Sequence, residues 1–291
     1  MRAVFLARPR YEYGSYTYYF RLAALSGIPV CYVDEIDLES NAVYVVSPMN
    51  GEFVPHMQHR TSLLGGRPRN AVVIWWNIER PGGELVDDPT VAALEFRAAC
   101  AWATKDFVDE IWSHDRYFTS LLPGARCVPI GSDERLRVGT PVRPHRYDVC
   151  HFMYINHRRS QILGGLENAG LRIGPPGWDE ARDNVWNSSR ALVNIHQSGV
   201  LGGEQLRFAA AAAWMMPILS ETFVDPWPLE PGKDILMGDY GGFVGRAHQW
   251  LQGNLEGIGE LLWKKLTQEY TFRDCILEGV SQTLKAIGDT K

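Results

Sequence analysis

Arg158, Arg159 and Arg207 are cations whose surroundings in the sequence suit an anion. Arg207 sits one turn into Glu204 to Trp214, a run of strong helix formers that follows a glycine-bearing turn at Gly199, Gly202 and Gly203. Before the turn lies an apolar strand end, Ala191 to Ile195. Strand, glycine loop and helix in that order make a phosphate seat. The first N–H groups of such a helix have no partner within it, and its dipole adds partial positive charge. Arg207 would add a planar fork for a diphosphate, and Arg158 with Arg159 stands ahead of another helix on the carboxyl side of a strand. The same stretch also reads as one more βα unit whose glycines only close a turn.

The second chemistry is proton transfer. Glu12 lies in the loop that begins at Arg8, and Glu79 follows the apolar run Ala71 to Trp76. A carboxylate beside a tryptophan pair has its pKa raised by burial toward that of a useful general base. Pairing with Arg80 would make Glu79 structural instead. His114 and His196 stand at strand ends, where a histidine is either a hydrogen-bonded structural residue or a ligand contact. With no Asp-x-Asp pair suited to a divalent metal, no metal site is expected. An anion bound in this part of the chain would be held by the helix start at Gly203 and Glu204, by Arg207, and by Arg158 or Arg159.

A basic region marks the first half of the chain. Between Glu52 and Glu79 there is no acid, yet the segment holds His56, His59, Arg60, Arg67 and Arg69, and Arg8 with Arg10 lies in the first loop. Such a rim suits a polyanion, and Tyr13 with Tyr11, Tyr16, Tyr18 and Tyr19 suits stacking on bases or sugars. A solvated loop and a tyrosine-rich packing surface are the plainer alternatives. The net charge of −5 argues against a whole surface devoted to nucleic acid, though not against a local patch. The five cysteines are scattered and never spaced as metal ligands, so they read as reduced, mostly buried residues. The sequence shows neither a signal pattern nor an apolar run of membrane-spanning length, and the expectation is a cytoplasmic protein.

Apolar strands alternate with helices throughout. In the first half the pattern predicts strands at Ala3 to Ala7, Ile28 to Val33, Ala42 to Val46, Ala71 to Trp76 and Cys127 to Ile130, with helices at Tyr18 to Leu25, Pro89 to Phe107 and Arg116 to Leu122. The breaker-rich stretch Val138 to His145 reads as a domain boundary. The pattern then restarts with strands at Asp148 to Tyr154, Leu171 to Ile173 and Pro217 to Ser220. Helices are predicted at Ser160 to Ala169, Glu204 to Trp214, Gly242 to Gln252, Ile258 to Thr267 and Phe272 to Ile287. The expected fold class is α/β: two tandem Rossmann-like, doubly wound parallel sheets, residues 1–140 and 141–291, with ligands bound beyond the carboxyl ends of the strands.

Three segments carry a family resemblance. Val108-Asp-Glu-Ile-Trp-Ser-His, followed by Val128-Pro-Ile-Gly-Ser-Asp133, resembles the close of the N-terminal domain of GT-B glycosyltransferases of the glycosyltransferase-4 type. Asn156-His-Arg-Arg159 ahead of a helix resembles the opening of their C-terminal domain, and Glu204 to Glu221 resembles their donor-binding helix and the strand after it. The resemblance implies two domains facing across a cleft, with the last helix able to return to the first domain. It implies transfer of a sugar from a nucleotide-diphosphate sugar to an acceptor hydroxyl, the donor being a co-substrate and no cofactor being needed. Donor contacts would then come from Arg158, Arg159, His196, Gly202, Gly203, Glu204, Arg207 and, in the loop Gly174 to Trp178, Gly177. Acceptor contacts would come from Arg8, Arg10, Tyr13, Arg60, Arg67 and Arg69, with Glu12 or Glu79 as base. Compact phage-type members of this fold act on hydroxymethylated DNA, which makes such DNA one candidate acceptor beside saccharides, lipids and proteins. One departure stands out: the family's two donor-gripping glutamates fall at Gly202 and Ala210, so both are absent here. A nucleotide-sugar epimerase of the same fold and a non-catalytic nucleotide-sugar binder remain as alternatives.

Overall fold

The computed structural model describes residues 4–8, 17–32, 38–46, 61–62, 65–77, 107–120, 122, 124–177, 179–196, 202 and 204–289. The chain divides into two compact units, Met1–Ile130 with Phe272–Lys291, and Gly131–Thr271.

In the first unit, β1 (Val4–Arg8), β2 (Val30–Tyr32), β3 (Val43–Val46), β4 (Val72–Asn77), β5 (Glu110–Ser113) and β6 (Arg126–Cys127) form, among the described residues, a six-stranded sheet in the order β2-β1-β3-β4-β5-β6. Every pairing is parallel. β4 is buried along its whole length, which explains why its sequence shows no polar alternation. Its side chains still alternate between faces. Trp75 joins Tyr44, Val46 and Phe107 in one core cluster. Trp76 meets Trp112 and Tyr19 edge to face, with ring centroids 5.8 and 5.6 Å away.

Helices α1 (Thr17–Leu25) and α2 (Arg116–Ser120) belong to this unit, as does the closing helix Phe272–Asp289. The closing helix is fixed by polar contacts as well as by Phe272. Arg273 donates to the Ser26 carbonyl at 2.7 Å, Trp112 Nε1 donates to Thr283 Oγ1 at 3.1 Å, and Arg126 pairs with Glu110 at 2.7 Å while reaching Gln282. β6 stops at Cys127, short of the predicted Ile130, because Pro129 has no N–H with which to continue a ladder.

The second unit holds β7 (Tyr147–His151), β8 (Ser189–Asn194), β9 (Ile218–Glu221) and β10 (Leu236–Gly238), all parallel and in that spatial order. Its helices are α3 (His157–Asn168), α4 (Asp179–Asn187), α5 (Gln205–Ala213), α6 (Phe243–Gln252) and α7 (Glu256–Lys264). Val149, Ala191, Val193 and Leu219 on one sheet face pack with Ile162 and Leu166 of α3 and Phe243 and Ala247 of α6. α5 is buried from Phe208 through Ala213. The predicted strand Leu171 to Ile173 reduces to a single bridge, Val149 with Ile173. Asp148 takes up the Arg172 amide with its carboxylate, and Gly174-Pro-Pro follows, so the pairing cannot extend.

The boundary between the units falls ahead of the breaker-rich stretch 138–145. Ser132 donates its amide to the Leu266 carbonyl at 2.8 Å and its hydroxyl to the Ala209 carbonyl at 2.5 Å, and Val142 donates to Asn187 at 2.7 Å. These bonds tie residues 131–146 to the second unit.

Candidate functional site

A cluster of polar side chains lies where β7, β8 and β9 end and where α3 and α5 begin. Each strand delivers one buried polar residue at its carboxyl terminus: His151 from β7, Asn194 from β8 and Glu221 from β9, exposed by 7, 0 and 3%. In a parallel sheet this is the edge where loops leave the strands and helix amino ends converge, so polar side chains and unpaired N–H groups collect there.

α3 supplies two arginines. Asn156 caps the helix, its Oδ1 accepting the Arg159 amide at 3.0 Å, and this fixes the first turn. Arg159 is 2% exposed; its Nε donates to the Ile195 carbonyl at 2.8 Å and its Nη1 to the Tyr154 carbonyl at 2.9 Å. Its Nη2 lies 3.7 Å from the Glu204 carboxylate. Arg159 therefore clamps the loops after β7 and β8.

Arg158 forms a two-pronged pair with Glu221 and donates to the His196 carbonyl, both Nη1 contacts at 2.7 Å. The Glu221 carboxylate also accepts the His196 amide at 3.0 Å. The guanidinium lies 3.9 Å from the centroid of the Tyr240 ring, whose hydroxyl donates to the Arg158 carbonyl at 2.9 Å. Arg158, Glu221, His196 and Tyr240 thus form one knot.

α5 begins after Glu204, whose side chain makes no capping bond to its own helix. That carboxylate lies between two guanidinium groups, 3.7 Å from Arg159 and 3.5 Å from Arg207. Arg207 also donates to Asn194 Oδ1; Asn194 Nδ2 donates to Ser220 Oγ at 2.9 Å, and Ser220 Oγ in turn donates to the Glu221 carbonyl at 2.7 Å. The ends of β8 and β9 are thereby linked to the first turn of α5.

Two buried imidazoles complete the cluster. His151 is held at about 4 by burial first, and then by the charges of Arg207 and Arg159. His196 is also pushed below the ordinary histidine range, by burial above all and by Arg207 and Arg158, with Glu221 and Glu204 acting the other way. Both rings are therefore neutral near pH 7. Among the described residues, His151 Nδ1 and His196 Nε2 have no hydrogen-bond partner. Three guanidinium groups against two carboxylates leave the cluster cationic, at the amino end of a helix. Such an arrangement holds an anion through charge, oriented N–H groups and a neutral ring nitrogen.

The structure thus brings together Arg158, Arg159, His196, Glu204 and Arg207. Gly202 is buried just ahead of α5. A Cβ on Gly177 would stand 3.0 Å from the Arg182 amide, so this glycine allows its loop to lie on α4. In the first unit Arg67 pairs with Asp109 and donates to the carbonyls of Ala71 and Phe107, the latter at 3.0 Å. Arg67 is a brace across β4 and β5, while Arg69 is exposed on the turn before β4. Arg8 is the last residue of β1, its side chain outside the described residues. Glu12, Glu79, Arg10, Tyr13, Arg60 and Gly203 also lie outside the described residues. Sequence reasoning missed Asn194, His151 and Tyr240. For the first, the available signal was a lone amide closing the apolar run Ala191 to Val193. Among the described residues no group of three or more His, Cys, Asp or Glu is placed to hold a metal ion, and no described helix is long and apolar enough to cross a membrane.

No family model and no curated protein matches the chain. Solved structures do. Anabaena HepE in complex with UDP and glucose aligns over 97% of this chain and 100% of its own, with a TM-score of 0.64 at 8% identity. AviGT4, a glycosyltransferase involved in avilamycin A biosynthesis, aligns over 99% and 98% with a TM-score of 0.61 at 10% identity. The lipopolysaccharide outer core galactosyltransferase WaaB in its apo form covers 96% and 100% with a TM-score of 0.56 at 11% identity. The fold of this chain is that of the GT-B glycosyltransferases.

Proposed function

We propose that the chain is a nucleotide-sugar-dependent glycosyltransferase whose second unit binds the donor through its diphosphate, without a metal ion. One observation carries this reading: Arg207, in the first turn of α5, is joined through Asn194 to the strand ends and through Glu204 to Arg159, beside two neutral histidines. The similarity in fold to HepE, which is described with UDP and glucose, supports a nucleoside diphosphate as the anion. In the reaction the bond between the anomeric carbon and the β-phosphate oxygen breaks, the acceptor oxygen bonds to that carbon, and the hydroxyl loses its proton. The helix amino end and Arg207 stabilise the charge that develops on the diphosphate, the part of the reaction that gains most from fixed donors. Arg158 and Arg159 act through position: by holding Glu221 and the loop carbonyls they set the entrance of α3 against that of α5. Proton removal is assigned to Glu12 or Glu79.

The acceptor is a hydroxyl of a saccharide, lipid or protein, or of 5-hydroxymethylpyrimidine DNA. The commitment of Arg67 to Asp109 removes one cation from the surface a polyanion would need. Thermal shift against UDP-, GDP- and TDP-sugars tests the donor, since a ligand at a hundred times its Kd adds about 2.7 kcal/mol. Mass spectrometry of hydroxymethylated DNA after incubation with the shifting donor tests that acceptor, and free sugar appearing without any acceptor would favour an epimerase. Arg207→Ala is expected to lower turnover at least tenfold with the fold intact. Absence of any shift, or unchanged kinetics in that variant, would overturn the reading.

A further inference from the structure

At the amino ends of β8 and β9, the opposite edge of the sheet from the cluster above, the second unit carries a recess of about 240 Å3. Its floor is apolar. Trp186 and Trp214 meet edge to face with ring centroids 5.3 Å apart, and Met216 lies beside them. Its rim is cationic. Arg143 contacts the His145 ring nitrogens, the nearer at 2.5 Å, and Arg190 donates to the carbonyls of Leu251 and Gly253 at 2.5 and 3.2 Å. Carbonyls and a neutral ring orient a guanidinium without cancelling its charge, and Asp148, whose charge reaches Arg190, is itself paired with Arg172 at 2.9 Å. Glu256, in the first turn of α7, is the single acid of the lining, so the rim keeps an excess of positive charge.

Met215 adds a second observation. It follows the end of α5 in the left-handed region, at φ 51°, where glycine is the usual residue. The Met215 and Met216 amides close the helix on the carbonyls of Ala212 and Ala211 at 2.9 and 3.0 Å. Glycine would serve that closure without strain, yet a methionine stands there, 41% exposed on the lip of the recess.

We infer that this recess is a second ligand site, for a small organic anion bearing one ring. The ring lies in the recess under Met215, over a floor closed from below by the buried indoles, and the anionic group lies against Arg143 and Arg190. The volume sets the size, since it falls below the roughly 300–1,000 Å3 of pockets for drug-sized ligands. The site is independent of the donor reading, because it shares no residue with the α3–α5 cluster.

The test uses 3-phenylpropionate and its uncharged amide, titrated calorimetrically into the full chain with and without saturating UDP. The expected result is one site, at least tenfold tighter for the carboxylate than for the amide and unchanged by UDP. Arg143→Ala, an exposed change that leaves the fold alone, should erase the preference for the carboxylate. Met215→Glu, which puts a like charge on the lip, should lower carboxylate affinity at least tenfold. No binding of the carboxylate at millimolar concentration, equal binding of the amide, indifference to Arg143→Ala or competition by UDP would each overturn the inference. Failure of UDP itself to bind would bear on the donor reading alone.

Discussion

Glu221→Ala tests whether the Arg158 knot is a built-in support of the site. The Glu221 carboxylate is buried, and it holds both prongs of Arg158 and the main-chain amide of His196. Truncating one partner of a buried ion pair costs about 3–5 kcal/mol, and a buried amide left without an acceptor costs about 1–3 kcal/mol. The two costs do not add fully. The Arg158 side chain is 23% exposed and keeps the His196 carbonyl and the Tyr240 ring, so the expected loss is about 3 kcal/mol. Against a domain stability of about 5–15 kcal/mol this is a large fraction. Urea unfolding is the assay, and the midpoint of the transition belonging to the second unit should fall at unchanged m. The double variant Glu221→Ala with Arg158→Ala removes both charges and should recover at least about 1 kcal/mol relative to the sum of the singles. A single-variant loss below about 1 kcal/mol, or strict additivity of the two, would refute the argument that Arg158 is positioned by Glu221.

Three further outcomes follow from the same geometry. Glu204→Gln removes a negative charge next to Arg159 and Arg207 and should tighten UDP binding about two- to fivefold, the worth of a partly exposed charge pair; weaker binding by calorimetry would instead make this carboxylate a donor contact. His151 titrates near 4 in the folded chain and near 6.5 when unfolded, so across that window the unfolded state binds more protons. Stability should therefore fall as pH drops from 6.5 to 4, by on the order of 2–3 kcal/mol, and His151→Phe should flatten that part of the profile. Gly259→Ala would place a Cβ 2.1 Å from the Met215 carbonyl oxygen, where α7 packs on the end of α5. Because main chain must move, a loss of about 2–3 kcal/mol is expected, and a melting temperature within a degree of wild type would show that the two helices separate easily.

The sequence by itself determined the elements and their class. The apolar runs Val72 to Trp76 in β4 and Ala191 to Val193 in β8 and the alanine-rich α5 each announce themselves through the periodicity and propensity of neighbouring residues, and the order of strand, glycine and helix marks the start of α5 as the place where the proposed donor anion would sit. Arg207 was legible for the same reason. What each arginine does was decided only by tertiary structure. Arg158 meets Glu221, distant in the chain, because strands β7, β8 and β9 lie side by side and bring their carboxyl ends together. Arg159 turns inward to the carbonyls of Tyr154 and Ile195, and Arg67 braces Asp109, although in sequence the first reads as a donor contact and the second as an acceptor contact. Leu171 to Ile173 looks like a strand yet makes one bridge, because its neighbour Asp148 takes the amide that a ladder would need. Local pattern reports the preference of a segment, set by residues within a turn or two. The partner of a charge depends on strand order and register, which no short window of sequence contains.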